Sequence, residues 1–477
     1  MQVSSHDFKA RADKALHDPN LRQALSAMEK GFVSKRQAAV RDLPEFDALR
    51  DRAVEIKNHV LENLDHYLER FETQVLAQGG KVHWCASPKE ARETILALLR
   101  TVEARTCTKG KSMIAEEIAL NPFLAANGIE PVETDLGEYI IQLADEPPSH
   151  IIGPAVHKTK DQISDLFLEH HQKYGRTARQ TDPQALVNEA REILRQKYID
   201  ADAGITGANF LIAETGSTVI VTNEGNGDLT QMLPRMHIVI ASLEKIVPTI
   251  EDACTILRVL ARSATGQEFS AYTTFSTGPK READLDGPAA FHVVLLDNGR
   301  SAMIGTELQE ALRCIRCGAC MNHCPVYQAV GGHAYGWVYP GPIGAVLDPH
   351  FVGLEEARHL PSASTFCGRC EQVCPMRIPL PKIMRYWRQQ AFERKLAPPP
   401  ERMAVQLWAW LVRRPALYHF ATRIAAYLLG RFGAERGYFR RLPLAGGWTR
   451  GRDMPAPSGR TFHDLWRTSG RGRGEAE

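Results

Sequence analysis

One run of residues constrains this chain more than any other: Cys314-Ile-Arg-Cys317-Gly-Ala-Cys320-Met-Asn-His-Cys324-Pro325. Three thiols at C-x2-C-x2-C spacing on one tight loop can converge on three corners of a [4Fe-4S] cubane, and soft sulfur ligands match iron. A fourth Cys followed by Pro turns away, and in paired-cluster proteins it ligates the other cluster. A second motif is therefore expected, and Cys367-Gly-Arg-Cys370-Glu-Gln-Val-Cys374-Pro375 supplies it, with Ser364 where a leading Cys would stand. By the crossed rule, Cys314, Cys317, Cys320 and Cys374 hold cluster one, while Cys324, Cys367 and Cys370 hold cluster two, which is one thiolate short. That second site reads as a [4Fe-4S] cluster with a non-cysteine fourth ligand, as a [3Fe-4S] cluster, or as one completed by Ser364 or His359. Zinc also uses paired C-x2-C units, but it draws its ligands from two separated knuckles. Here four cysteines crowd between Cys314 and Cys324, and Cys-Pro occurs twice.

Seven of the ten cysteines lie between Cys314 and Cys374. No apolar stretch follows a basic start in Met1 to Leu25, so no secretory signal is expected and a reducing, cytoplasmic setting is. Cys85, Cys107 and Cys254 read as buried structural thiols. Arg105, Lys109 and Lys111 are the cations that would lower the Cys107 pKa. With 477 residues, 44% hydrophobic and 24% charged, the chain is expected to hold two or three soluble domains, neither disordered nor repeatedly membrane-spanning. The net charge of +2 gives no case for a nucleic-acid partner; it averages a basic end, with ten Arg against five Asp/Glu over residues 431–477, and a slightly acidic body.

Apolar periodicity divides the rest. Residues 1–45 are polar and weakly periodic, expected as a loosely packed helical extension. From Leu49, the residues Ala53, Ile56, Val60, Leu64, Leu68, Phe71 and Val75 form one helical stripe that stops at Gly79-Gly80. Val82 to Cys85 reads as a strand, Ser87-Pro-Lys-Glu90 as a capping box opening a helix through Leu99, and Met113 to Ala126 as a helix. Further strands are expected at Glu130 to Thr134, Ile151 to Val156, Met236 to Ala241 and Phe291 to Leu296, with a strand pair over Asn209 to Thr222 joined at Thr215-Gly216. Lys158 to Lys197 reads as charged helix. An α/β domain over 46–300, an open sheet with interleaved helices, is thus expected ahead of a mainly helical, ferredoxin-like two-cluster domain over 301–397. Past Pro398-Pro399-Pro400, residues 398–477 read as apolar helices with a flexible basic tail. The aromatic and Arg-rich segment Trp408 to Arg441 reads as a docking surface for a partner subunit, with an anionic membrane face or packing within the chain as the other readings.

Dinucleotide, P-loop, nucleophile-elbow and zincin signatures are absent. Polar clusters remain: Glu133 to Gln142 with Asp135 and Glu138, Ser149-His150, His157-Lys158, Glu214 to Ser217 and Thr222 to Gly225. Loops leaving strand ends are where open α/β sheets bind ligands, and the plainer role of such residues is turn formation and capping.

On the paired cysteine motifs, Glu133 to Gln142, Ser149-His-Ile-Ile-Gly-Pro-Ala-Val-His157, Glu214-Thr-Gly-Ser-Thr-Val, Val221-Thr-Asn-Glu-Gly-Asn226 and His292-Val-Val-Leu-Leu-Asp-Asn-Gly299, the chain resembles the iron-sulfur subunit of the bacterial L-lactate utilization system. The resemblance implies an α/β domain similar to the sugar-phosphate isomerase and CoA-transferase superfamily. It further implies membership of a complex that oxidises L-lactate to pyruvate, with other subunits including a cysteine-rich protein. Two roles are consistent with it. In one, two [4Fe-4S] clusters relay electrons. In the other, the α/β domain binds lactate itself through Asp135, Glu138, His150 or His157. A third reading makes the clusters a structural staple. The expected location is the cytoplasm, with peripheral contact at the inner membrane face as the alternative.

Overall fold

The structure is a computed structural model that describes residues 3–442, 446–449 and 451–469. It divides into two compact units, Met1–Ala391 and Phe392–Glu477. The first is built on six parallel strands in the order β1-β10-β7-β4-β2-β3: β1 (Lys81–Cys85), β2 (Thr106–Lys109), β3 (Glu130–Glu133), β4 (Ala203–Gly207), β7 (Met236–Ser242) and β10 (Ala290–Leu296). A smaller sheet, β8-β5-β6-β9, comprises β5 (Phe210–Ile212), β6 (Ser217–Thr222), β8 (Ile246–Val247) and β9 (Tyr272–Ser276). The pair β5 and β6 is antiparallel around Thr215-Gly216, where Gly216 takes the left-handed φ of +68°.

Two-residue alternation in the central strands makes this a layered α/β fold. Ile238 and Ile240 of β7, with Val294 and Leu296 of β10, face Ile95, Leu99, Ile114 and Leu124. Val239 and Ala241, with Val293 and Leu295, face Val60, Leu64, Leu68, Phe71 and Val75. The helical stripe read from Ala53 to Val75 is buried throughout, yet two helices carry it, Phe46–Glu62 and Leu64–Ala77, with the break at non-helical Asn63. Ser87 caps the helix Pro88–Thr101 as expected, its hydroxyl accepting from Glu90 N at 3.3 Å. Glu90 reaches back to Ala86 N, at 2.8 Å, rather than to Ser87.

Four elements differ from expectation. Met113 to Ala126 is two helices, Met113–Glu117 and Leu120–Ala126, because Ala119 sits left-handed at φ +51°. Ile151 to Val156 is a chain of turns, held by Ser149 N donating to Pro154 O and Val156 N to Gly153 O. Strands β2 and β4 had no distinct signal: one is four residues long with Thr and Lys in it, and the other carries Gly204 and Gly207. A Cβ on Gly204 would lie 1.8 Å from Thr230 O, so that glycine lets the helix Asn226–Met232 press onto the sheet.

The cysteine-bearing segment is helical in short pieces around the buried helix Gly341–Phe351 and the helix Leu380–Glu393, whose Trp387 donates to Val346 O at 2.9 Å. The N-terminal residues are not loosely packed. Phe8 meets Tyr335 with ring centroids 5.3 Å apart, Leu25 and Met28 are buried, and Arg36 donates to Val373 O at 2.9 Å. A few apolar anchors and buried Arg suffice where a continuous stripe is missing.

In the second unit, the helices Pro399–Val412 and Pro415–Gly433 form a hairpin that leaves Met403, Leu407, Trp408, Phe420, Tyr427 and Phe432 exposed. No helix among the described residues is long and apolar enough to cross a membrane. The region read as flexible tail is partly ordered: Tyr438–Phe439 pairs antiparallel with Met454–Pro455, and Phe462–Thr468 is a helix capped by Thr461. Its last residues, 470–477, lie outside the described residues.

Candidate iron-sulfur centre and strand-end pocket

The two cysteine motifs repeat one backbone conformation. Arg316 (φ +59°) and Gly318 (φ +71°) flank Cys317, and Phe366 (φ +54°) and Gly368 (φ +77°) flank Cys367. These paired left-handed turns wrap the chain around each thiol, so that the Ala319 N–H reaches Cys317 and the Arg369 N–H reaches Cys367. The Cys-Pro ends match as well: N–H groups of Val326 and Tyr327 point at Cys324, and those of Met376 and Ile378 at Cys374, the last at 3.5 Å. Backbone N–H groups aimed at sulfur stabilise thiolates and are a chief means of tuning iron-sulfur clusters.

The thiols fall into two neighbouring sets. Cys314, Cys317, Cys320 and Cys374 line one cavity jacketed by Ile151, Ile343, Met376, Ile378 and Leu380. Burial pushes the Cys317 and Cys320 thiols up, and the other members of this set, Cys314 and Cys374 among them, add to the effect. Burial raises Cys370 to about 12, with Cys324 and Cys367 as its thiol neighbours. Cys367 differs: exposed, and receiving the Arg369 N–H, it lies below the usual thiol value. Metal-free thiols crowded in an apolar pocket are poorly solvated when ionised, and a cluster that takes them as thiolates resolves this. The donors present therefore fit two clusters. Ser364 is half-buried and its hydroxyl accepts from Phe366 N at 3.1 Å, a local turn bond.

Cations from the α/β part, the N-terminal helices and the cysteine loop itself lie around the first set. Arg50 donates to Cys374 O at 2.7 Å and to Gln372 O at 3.0 Å. Buried Lys57 donates to the carbonyls of Glu244 and Ile246. Arg316 lies 4.6 Å over the Tyr339 ring and pairs with Glu244 at 3.5 Å. Behind it, Arg300 bridges Glu117 (2.6 Å) and Glu244 (3.1 Å), while Tyr339 Oη donates to Glu117 at 2.5 Å.

A second cavity, about 280 Å³, opens at the carboxyl ends of β2, β4 and β7, the place where parallel α/β sheets bind ligands. Lys111, Asp135, Asn209, Thr222, Glu224, Lys245 and Arg316 line it. Arg316 and Ile151 line the thiol cavity also, so the two share a wall.

Comparison with known proteins matches this architecture in order. The LUD domain family covers residues 68–296, a 4Fe-4S dicluster domain residues 310–378, and the family described as lactate utilisation protein B, C-terminal, residues 391–471. A lactate utilization protein B from Geobacillus kaustophilus is 44% identical over 476 residues, 99% of each chain. Those from Bacillus pumilus and Lysinibacillus sphaericus are 41% and 42% identical, covering 98% and 97% of each chain. The chain belongs to the lactate utilization protein B family.

Within this family member, the four polar residues singled out in the α/β part do not share one pocket, although Asp135 Oδ1 accepts from Glu138 N at 3.2 Å. Asp135 caps the helix Leu136–Leu143 and lines the strand-end pocket. Glu138 is buried beside Glu133 and Glu116 around Lys109, and burial holds its carboxyl well above the usual range. His150 is a buried strut: Nδ1 accepts from Ile152 N and Gly153 N, both at 3.0 Å, and Nε2 meets Asn322 Oδ1 at 2.8 Å, tying the turns after Ser149 to the first cysteine loop. Burial pushes its pKa down to about 4, so the ring is neutral. His157 bonds Ser149 Oγ at 2.6 Å and Glu146 at 2.7 Å, beside His333. Of the remaining cysteines, Cys85 and Cys107 are buried, while Cys254 is exposed on the helix Ile250–Ala264, against expectation. Burial raises Cys107 to about 12 despite nearby Lys109, so desolvation outweighs the cations. Sequence reading missed Lys111, Lys245 and Arg316 as pocket residues, since single cations in three unrelated segments carry no spacing signal.

Proposed function

We propose that the chain is the iron-sulfur electron-transfer subunit of an assembly that oxidises L-lactate to pyruvate. Cys314, Cys317, Cys320 and Cys374 hold one cluster; Cys324, Cys367 and Cys370 hold three corners of the other. When bound, such clusters accept and release single electrons at potentials set by hydrogen bonds, charge and burial. The reading rests above all on the thiols of both motifs gathering into two adjoining sets, each with backbone N–H groups aimed at sulfur. Arg36, Arg50, Lys57 and Arg316 offset the negative charge of the first set, and the apolar jacket excludes water. In the second set a non-cysteine ligand completes a [4Fe-4S] cluster, or three thiolates hold a [3Fe-4S] one. We take the open sheet to follow the sugar-phosphate isomerase and CoA-transferase pattern, and the partners to be the other subunits of the lactate-utilization complex, including a cysteine-rich protein. In this scheme the chain works in the cytoplasm, and the lactate-derived electrons pass from set to set toward an acceptor.

Anaerobic purification with iron and sulfide counts, followed by a redox titration read by electron paramagnetic resonance, tests this. Two interacting reducible clusters are expected, and Cys374→Ser perturbs the cluster of the first motif while sparing that of Cys367 and Cys370. Zinc in place of iron, or clusters that do not change oxidation state in the physiological range, would overturn the relay.

A further inference from the structure

We propose that the strand-end pocket binds a small carboxylate of the 2-hydroxy- or 2-oxo-acid class, and that Arg316 transmits its occupancy to the first cysteine set. The coupling rests on the function proposed above; the binding site does not. Three observations carry it. First, the pocket stands at the carboxyl ends of β2, β4 and β7 and shares Arg316 and Ile151 with the cavity lined by Cys314 and Cys317. Second, the Nε and Nη1 of Arg316, and the Thr222 Oγ1, are buried without a hydrogen-bonding partner among the described residues. Buried guanidinium N–H groups left unpaired are costly, and an anion in the pocket satisfies them.

Third, the charged residues of the pocket fall into two groups. Lys245 and Arg316 sense each other and Cys314, which makes one group cationic. Glu224, its carboxyl raised by burial and by neighbouring Asp135, belongs to a second, acidic group with Lys111 near it. A dicarboxylate or a phosphate ester spanning the pocket would set negative charge against Asp135 and Glu224. A monocarboxylate instead places its anionic group on Lys245 and Arg316; a hydroxyl or keto oxygen at the adjacent carbon accepts from Thr222 or Asn209, and a hydroxyl also donates to the acid pair. Since Arg316 lies between Cys314 and Cys317 in the chain and touches both cavities, added negative charge there opposes the electron a neighbouring cluster would take up.

The test uses the full chain, purified anaerobically with its iron, and four probes: L-lactate, pyruvate, propionate and inorganic phosphate. Calorimetry is expected to give one saturable site for lactate and pyruvate, with propionate at least tenfold weaker for want of the second oxygen and phosphate weaker still. The same ligands shift the midpoint of one cluster to more negative potential. Lys245→Gln weakens binding about tenfold or more without changing the iron count. Should the Lys245 variant lose iron, Thr222→Val, which lies outside the cysteine motifs in sequence, takes its place and weakens binding of the 2-oxygenated acids more than of propionate. Binding with no shift of either midpoint overturns the role of Arg316. Absence of saturable lactate or pyruvate binding, or phosphate binding as tightly as either, overturns the carboxylate site. Because calorimetry does not depend on cluster reduction, failure of the relay and failure of the site are read separately.

Discussion

Arg300 is a buried cation held by two buried carboxylates. It is 1% exposed, forks onto both oxygens of Glu117, and reaches Glu244 through Nε. Burial pulls its pKa down, yet the two carboxylates outweigh that and hold it above the usual guanidinium value. Arg300→Leu leaves Glu117 charged in a dry site and is expected to cost about 3–5 kcal/mol, read as a lowered denaturation midpoint. The companion change Glu117→Gln in the same chain should recover part of that loss. His237 has the opposite character. Its Nε2 meets Thr206 Oγ1 at 2.8 Å, and burial lowers its pKa to about 3. A base whose folded pKa is depressed contributes its full stability above the unfolded value near 6.5, and loses about 1.4 kcal/mol for each pH unit below it. Melting curves at pH 7 and pH 5 should therefore converge in His237→Gln relative to the parent chain. The same residue scale explains what could be read without coordinates: Cys314 to Cys374 declare themselves by spacing, while nothing local marks Arg300 or His237 as buried.

At the scale of elements, capping and turn chemistry were legible where one residue settles the outcome, as at Ser87-Pro88, Thr215-Gly216 and the Cys-Pro ends. Helix continuity was not. The apolar stripe from Ala53 to Val75 keeps its phase across the break at Asn63, because three- and four-residue steps on two successive helices resemble one long helix. At Ala119 the break costs something, since a left-handed L-residue loses roughly 1–2 kcal/mol. Ala119→Gly should relieve it and raise stability by about 1 kcal/mol, measured as a higher melting temperature with unchanged iron content. The segment Ile151 to Val156 carries the apolar content of a strand, yet its backbone is spent on turns that bring His150 onto the cysteine loop.

For the whole molecule, the division after Ala391 has a direct consequence. All seven clustered cysteines and the elements that cradle them lie in the first unit, including the N-terminal helices through Arg36 and Arg50. A chain ended shortly after Ala391 is expected to fold and to keep the iron and sulfide content and visible absorption of the full chain. The exposed aromatic hairpin would be gone, so a partner that depends on Trp408 or Phe432 would no longer co-purify with it. Loss of iron on this truncation would place cluster support in the second unit instead.

The sequence by itself determined the chemistry of the thiols, the alternation of helix and strand, and the family to which the chain belongs, because each is written in short-range spacing that survives without knowing the fold. Tertiary structure alone decided that the N-terminal helices grip the second cysteine motif, that His150 is a neutral strut, and that Lys111, Lys245 and Arg316 line one pocket at the strand ends. Those residues come from segments far apart in the chain, and their pKa values and partners depend on burial, which is a property of the packed molecule and of no single stretch of it.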